Sequence, residues 1–165
     1  MRKEIVFDSS TAILLAKIHL LNTVTQKLRV FFPEAVKEET IKKKDSFDSK
    51  LIIKLIDENK INVVKANQSK VNKLTKDFNI EKGEAEALEL AREKKCISAT
   101  DDGPSIKLCK ILDIEFTTAI HFLIRFYEKG ILNKKIAMEK LKMLEKYGRY
   151  DYDIIKDAKN RIGGK

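Results

Sequence analysis

Five acidic residues draw attention by where they fall in the chain. Asp8 ends the apolar run Ile5-Val6-Phe7, and Asp101 and Asp102 end the segment Cys96-Ile97-Ser98-Ala99-Thr100. Glu39, with Glu38 beside it, lies about a turn and a half into the helical pattern after Pro33, at roughly 3.6 residues per turn. Glu84 stands in the first turn of an alanine- and leucine-rich pattern opened by Gly83. Carboxylates gathered at one place repel one another unless a cation neutralises them, and oxygen ligands of this kind suit Mg2+ or Mn2+. Such a site points to phosphoryl chemistry. Each residue alone has a simpler reading: Asp8 as a helix cap, Glu84 as a favourable charge at a positive helix end, Glu38 and Glu39 as a solvated face. Only the combination argues for a shared site.

Other chemistries find little support. A Ser/His or Cys/His hydrolase needs a placed base, and the only histidines, His19 and His121, lie in apolar helical patterns that predict core packing. Cys96 and Cys109 form no Cys-x-x-Cys pair, have no neighbouring histidine, and are expected to be reduced and buried. Neither a Gly-x-Gly-x-x-Gly nor a Gly-x-x-x-x-Gly-Lys-Ser/Thr sequence is present, which argues against dinucleotide and P-loop binding. The formal charge is +9, from 34 Lys and Arg against 25 Asp and Glu, which favours a polyanionic partner such as nucleic acid or an acidic protein. A solvated Lys/Glu-rich surface explains the same numbers.

The elements that must position these residues follow from the hydrophobic pattern. At 165 residues, 43% of them hydrophobic, the chain is expected to form one domain over 1–165. Ile5-Val6-Phe7, Val30-Phe31-Phe32, Ile61 to Val64, Cys96 to Ala99 and Ile114-Glu115-Phe116 predict strands. Between them lie helical patterns: one through Ile13, Leu14, Ile18 and Leu21, one with Val36 and Ile41 on a face, one through Leu51, Ile52, Leu55 and Ile56, and one from Ser69 to Phe78. The last carries Lys70, Lys73 and Lys76 as a basic stripe opposite Val71, Leu74 and Phe78. Further helices are predicted from Gly83 to Lys95, through Ile106 to Leu112, and, in a helical C-terminal part from about residue 119, over Ala119 to Glu128, Lys134 to Tyr147 and Tyr152 to Arg161, with Gly130, Gly148 and Gly163 at their ends. Strands alternating with helices imply an α/β fold with a mainly parallel sheet covered on both faces. In such a sheet ligands bind beyond the carboxyl ends of the strands, where Asp8 and Asp101-Asp102 are expected. No signal peptide or membrane span is predicted, since Glu4 and Asp8 interrupt the N-terminal apolar run and Lys17 and His19 interrupt the longest one, so a cytoplasmic location is expected.

The segments Ile-Val-Phe-Asp-Ser-Ser, Phe-Pro-Glu-Ala-Val-Lys-Glu-Glu, Gly-Glu-Ala-Glu-Ala-Leu-Glu-Leu-Ala and Ala-Thr-Asp-Asp occur in the order and spacing of PIN-domain proteins, from Ile5 to about Ile131. The chain also resembles a prokaryotic subgroup related to toxins of type II toxin-antitoxin modules. The resemblance implies a three-layer α/β/α fold and Mg2+- or Mn2+-dependent hydrolysis of RNA phosphodiesters. Asp8, Glu39, Glu84 and Asp102 match the family's acidic positions, with Asp101 in a variable slot as a further metal ligand. Glu84 stands where many members carry Asp, and the longer side chain shifts or weakens a second metal position. Ser10 and Thr100 resemble the family's small hydroxyl residues that orient a carboxylate or the scissile phosphate. Glu86, on a different helix face from Glu84, ranks below it.

Lys42, Lys43, Lys44 and the Lys70/Lys73/Lys76 stripe are candidate phosphate contacts, which give affinity without reading bases. The resemblance implies RNA as substrate, a small antitoxin as inhibitor and a homodimer. Residues 134–165 carry ten Lys and Arg against five Asp and Glu, a surface that suits an acidic partner. A PIN-like scaffold that binds RNA or a protein without cleaving is the alternative, because fold does not fix function. A phosphate-accepting receiver domain also holds Mg2+ with an acidic pair, but places that pair after its first strand, whereas Asp101-Asp102 comes late here.

Overall fold

Short runs of Ile, Val and Phe with no charged residue inside them can be buried on both faces, and these are the runs that build the sheet. In a computed structural model describing residues 1–164, β1 is Glu4–Phe7, β2 Arg29–Pro33, β3 Ile61–Val64, β4 Ile97–Ala99 and β5 Phe116–Thr117. They form a five-stranded sheet in the order β3-β2-β1-β4-β5. Every pairing is parallel, with Ile5 opposite both Val30 and Ile97. The chain steps outward from β1 to β3, then crosses back to lay β4 on the other side of β1. At this reversal the carboxyl ends of β1 and β4 lie side by side, the place where an open parallel sheet takes a ligand in its crevice.

Helices cover both faces and make the three-layer α/β/α arrangement. The helices are α1 Ser9–Lys17, α2 Leu21–Lys27, α3 Glu34–Thr40, α4 Phe47–Asp57, α5 Gln68–Phe78, α6 Lys82–Lys94, α7 Gly103–Ile111, α8 Ala119–Glu128, α9 Lys134–Tyr147 and α10 Tyr152–Gly163. Helix α6 packs on β1, β2 and β4 with α5 against it, while α1 packs with α4, α8 and α9. The core centres on Phe7, which is fully buried, lies 6.0 Å from Phe32 and stacks on Phe122 of α8 at 6.0 Å and 11°. Aromatic pairs of this kind add about 0.5–1.5 kcal/mol beyond area burial. Since Phe7 immediately precedes Asp8, this packing also fixes where the first carboxylate emerges.

Five local expectations change. The first helical pattern is broken in two: α1 ends at Lys17, His19 adopts φ 58° and α2 starts at Leu21. His19 and His121 are both exposed rather than packed in the core; His19 sits on the turn with its ring 4.7 Å from that of Phe47, and His121 faces outward from the first turn of α8. Cys109 is buried but Cys96 only partly so, and neither is paired. The last strand is Phe116–Thr117, beginning two residues later than the apolar run suggests, because Asp113 turns the chain with φ 55° and Ile114 donates its N–H back to the carbonyl of Cys109 at 2.8 Å. At the end of α10 the left-handed residue is Gly164, not Gly163. Among the described residues no helix is long and apolar enough to cross a membrane.

Candidate metal centre

Three of the five candidate carboxylates begin as helix-start residues, so the simple reading of each is also correct. Asp8 is the N-cap of α1 and accepts the N–H of Thr11 at 3.3 Å. Asp102 caps α7, accepting the N–H of Ser105 at 2.9 Å. Glu84, in the first turn of α6, accepts the N–H of Glu81 at 3.3 Å. Capping turns the carboxylates of Asp8 and Asp102 toward helix N-termini at the carboxyl edge of the sheet, where the helix dipole favours negative charge.

What caps do not require is the burial and crowding seen here. Asp8 is 4% exposed. Its Oδ1 accepts the Ser10 hydroxyl at 2.5 Å and its Oδ2 accepts the Thr100 hydroxyl. Burial nevertheless pushes the Asp8 carboxyl up to about 6, with Asp101 adding to the rise and the hydrogen bonds opposing it. Glu84, half-buried, is raised by burial first, then by the charges of Asp102, Glu81 and Asp8. Glu39 reaches the same region from α3: a Cβ placed on Gly83 would lie 3.2 Å from Glu39 Oε2. No Lys, Arg or His of the described residues comes within 4 Å of Asp8, Glu39, Glu84, Asp101 or Asp102.

A desolvated carboxylate with acidic neighbours and no protein cation fits a divalent metal ion by charge and by ligand type. Among the described residues, no three Asp, Glu, His or Cys side chains are close enough to hold an ion together.

Asp101 stands apart from the other four. Its carboxylate accepts the Thr11 hydroxyl at 2.5 Å, the Ala119 N–H at 3.0 Å and the Tyr150 hydroxyl, and its own N–H donates to Ser10 Oγ at 3.0 Å. Burial raises its carboxyl against those bonds. With its oxygens committed to three donors, Asp101 supports the loop, whereas Asp102, among the described residues, accepts only the Ser105 N–H and its charge acts on Glu84.

The basic candidates divide similarly. Lys42, Lys43 and Lys44 are exposed on the turn after α3, beyond Thr40 and Ile41 from Glu39. Lys73 and Lys76 are exposed on α5, but Lys70 lies 3.7 Å from buried Glu89, which compensates its charge.

A PIN-domain family model matches residues 4–163. The chain belongs to the PIN-domain family. PIN domains are in general metal-using nucleases, and so hydrolases, which agrees with the acidic crevice. No curated protein matches the chain. The fold is similar to the crystal structure of PAE2754 from Pyrobaculum aerophilum, with a TM-score of 0.57 and 14% sequence identity, covering 78% of this chain and 99% of that one.

Two positions around this PIN crevice escape sequence reasoning. Glu86, ranked below Glu84, is 2% exposed and holds α3 in place: its Oε2 accepts the Ala35 N–H at 2.9 Å and its Oε1 accepts Gln68 Nε2 at 3.0 Å. The signal for it was present in the Glu-x-Glu spacing, which puts one carboxylate toward the crevice and the other toward α3. Tyr150 is the other, and nothing local marks it except Gly148 two residues before.

Proposed function

We propose that this PIN domain, taken as one unit over 1–165, is a Mg2+- or Mn2+-dependent endoribonuclease and the toxin of a toxin-antitoxin pair. The observation that carries the reading is the burial of Asp8 beside Asp101 and near Glu84 with no protein cation to compensate it. Asp8, Glu39, Glu84 and Asp102 are the residues that hold the ion. A divalent cation held there would supply Lewis acidity for activating water at neutral pH and for offsetting charge on a phosphodiester.

The chain's own groups do the rest. The hydroxyls of Ser10 and Thr100 grip both oxygens of Asp8 and fix its orientation. Lys42, Lys43 and Lys44 form an exposed cationic turn at the end of the helix that carries Glu39, which suits the RNA backbone, and Lys73 and Lys76 are exposed on α5, which packs on α6. No protein nucleophile is needed. The excess of cations in residues 134–165 supports a small acidic antitoxin as inhibitor, and a second copy of the chain completes the proposed assembly in the cytoplasm.

The alternative is a PIN scaffold that binds RNA or a protein without cleaving. The presence of Glu84 where many members carry the shorter Asp favours it. One experiment separates the two: incubate end-labelled single-stranded RNA with wild type, Asp8→Asn and Asp102→Asn, in Mn2+ and in chelator. Cleavage by wild type in Mn2+ alone supports the nuclease. RNA binding without cleavage in any condition moves the scaffold ahead.

A further inference from the structure

A hydrogen-bonded chain links the acidic crevice to the C-terminal helices. Tyr150 lies in the connection between α9 and α10, beyond the segment that carries the sequence resemblance. Its hydroxyl donates to Asp101 Oδ1 and accepts the Ile120 N–H at 3.2 Å. Asp101 in turn accepts the Thr11 hydroxyl at 2.5 Å and the Ala119 N–H at 3.0 Å, so one carboxylate ties α1, α8 and the exit of β4 together. From Asp101 the chain continues through its N–H to Ser10 Oγ at 3.0 Å and from the Ser10 hydroxyl to Asp8 Oδ1 at 2.5 Å. On the far side of Asp8, the Thr100 hydroxyl donates to Oδ2 while Thr100 Oγ1 accepts the Asp102 N–H at 3.2 Å.

The local sequence permits this reach. A Cβ at Gly148 would meet the Tyr150 ring at 2.8 Å and the Leu144 carbonyl oxygen at 2.8 Å, so only glycine lets the chain fold Tyr150 back on the end of α9. Hydrogen bonds to an ionised carboxylate are short and strong, and groups of this kind set the orientation of the ligands they touch.

We propose that Tyr150 is a positioning residue of the acidic crevice: acting through Asp101 and Ser10, it orients the Asp8 carboxylate and makes the α9–α10 pair a working part of the site. This rests on the reading that Asp8 and Asp102 hold a cation. Without the Tyr150 hydroxyl, Asp101 loses a donor and the loop Thr100 to Asp102 loses its tether to the C-terminal helices, which leaves Ser10 and Asp8 less ordered.

The test uses the full chain with Mn2+ alone as the first probe. Wild type, Tyr150→Phe, Thr11→Val and the control Tyr152→Phe, at a residue 76% exposed, are titrated with Mn2+ by calorimetry and then assayed on single-stranded RNA. Tyr150→Phe and Thr11→Val should fold, as read by circular dichroism, yet bind Mn2+ about tenfold more weakly, the usual effect of losing an outer-shell partner. Their kcat should fall with KM for RNA unchanged and recover in part at high Mn2+, while Tyr152→Phe matches wild type. If Tyr150→Phe does not fold, Thr11→Val decides by the same readings.

Unchanged Mn2+ affinity in the folded variants overturns the proposal, even if their melting temperatures drop. Weakened Mn2+ binding in a set of proteins that never cleave RNA leaves the proposal standing and removes the ribonuclease reading instead. A wild type that binds no Mn2+ overturns both.

Discussion

Replacing Asp8 by Asn tests the charge argument most directly. The carboxyl is displaced from its ordinary 3.8 to about 6, chiefly by burial. For an acid whose folded pKa is raised, ionisation disfavours the folded state: the penalty is absent below about pH 4, grows as pH rises toward 6, and is complete above it. At about 1.4 kcal/mol per pH unit, the displacement amounts to about 3 kcal/mol at neutral pH in the metal-free protein. Asn removes that penalty and caps a helix as well as Asp does, but one hydroxyl, Ser10 or Thr100, loses its acceptor oxygen, which costs about 1 kcal/mol. The net stabilisation is about 2 kcal/mol, or about 4–8 °C in melting temperature for a chain of this length.

The assay is scanning calorimetry in chelator and in Mn2+ across the range from acid to neutral pH. Metal-free wild type should gain stability as pH falls from 7 toward 5, a slope that Asp8→Asn should reduce, leaving the part that Asp101 and Glu84 contribute. Mn2+ at about a hundredfold excess over its dissociation constant should add about 2.7 kcal/mol to wild type and little to the variant. A variant that melts below wild type in chelator at neutral pH refutes the reasoning, as does an equal Mn2+ response in both proteins.

Gly83→Ala should leave stability unchanged or raise it by up to about 1 kcal/mol through helix propensity. Its new Cβ, 3.2 Å from Glu39 Oε2, should displace that side chain and lower Mn2+ affinity and cleavage; unaltered Mn2+ titration would show that Glu39 is not part of the site. Glu86→Ala strands the half-buried Ala35 N–H, while the exposed Gln68 amide keeps its bond to the Ala66 carbonyl, and should cost about 2 kcal/mol in urea unfolding, from one hydrogen bond to a charged group. A loss below about 1 kcal/mol would mean that water replaces the carboxylate there. Burial pushes both thiols up to about 11, so Cys96 and Cys109 should label slowly with a thiol reagent at neutral pH, and rapid reaction of Cys109 in the native protein would contradict its burial.

Much of the architecture was legible from local pattern. Apolar runs of strand length, and apolar residues at helical spacing between them, are written residue by residue, so the α/β class and nearly all the elements could be read before any fold was known. The acidic positions were legible for a related reason: Asp8 and Asp102 stand where strands give way to helices, and in a parallel sheet that is one edge. Breaks set by backbone conformation were less legible. The left-handed turn at His19 that separates α1 from α2 interrupts a pattern whose side chains remain apolar on both sides.

Only the tertiary structure decided which distant groups meet. Strand order is a property of the whole sheet, and it is the placement of β4 beside β1 that brings Thr100 to Asp8 across a separation of 92 residues. The adjacent pair Asp101 and Asp102 looks symmetrical in sequence, yet one carboxylate is turned inward by Thr11, Ala119 and Tyr150 while the other caps α7. Glu86 and Tyr150 owe their roles to partners far along the chain, and a buried polar group is explained by its partners rather than by its neighbours in sequence. Periodicity is local and survives in the sequence; the pairing of buried donors and acceptors is not, and exists only once the layers have packed.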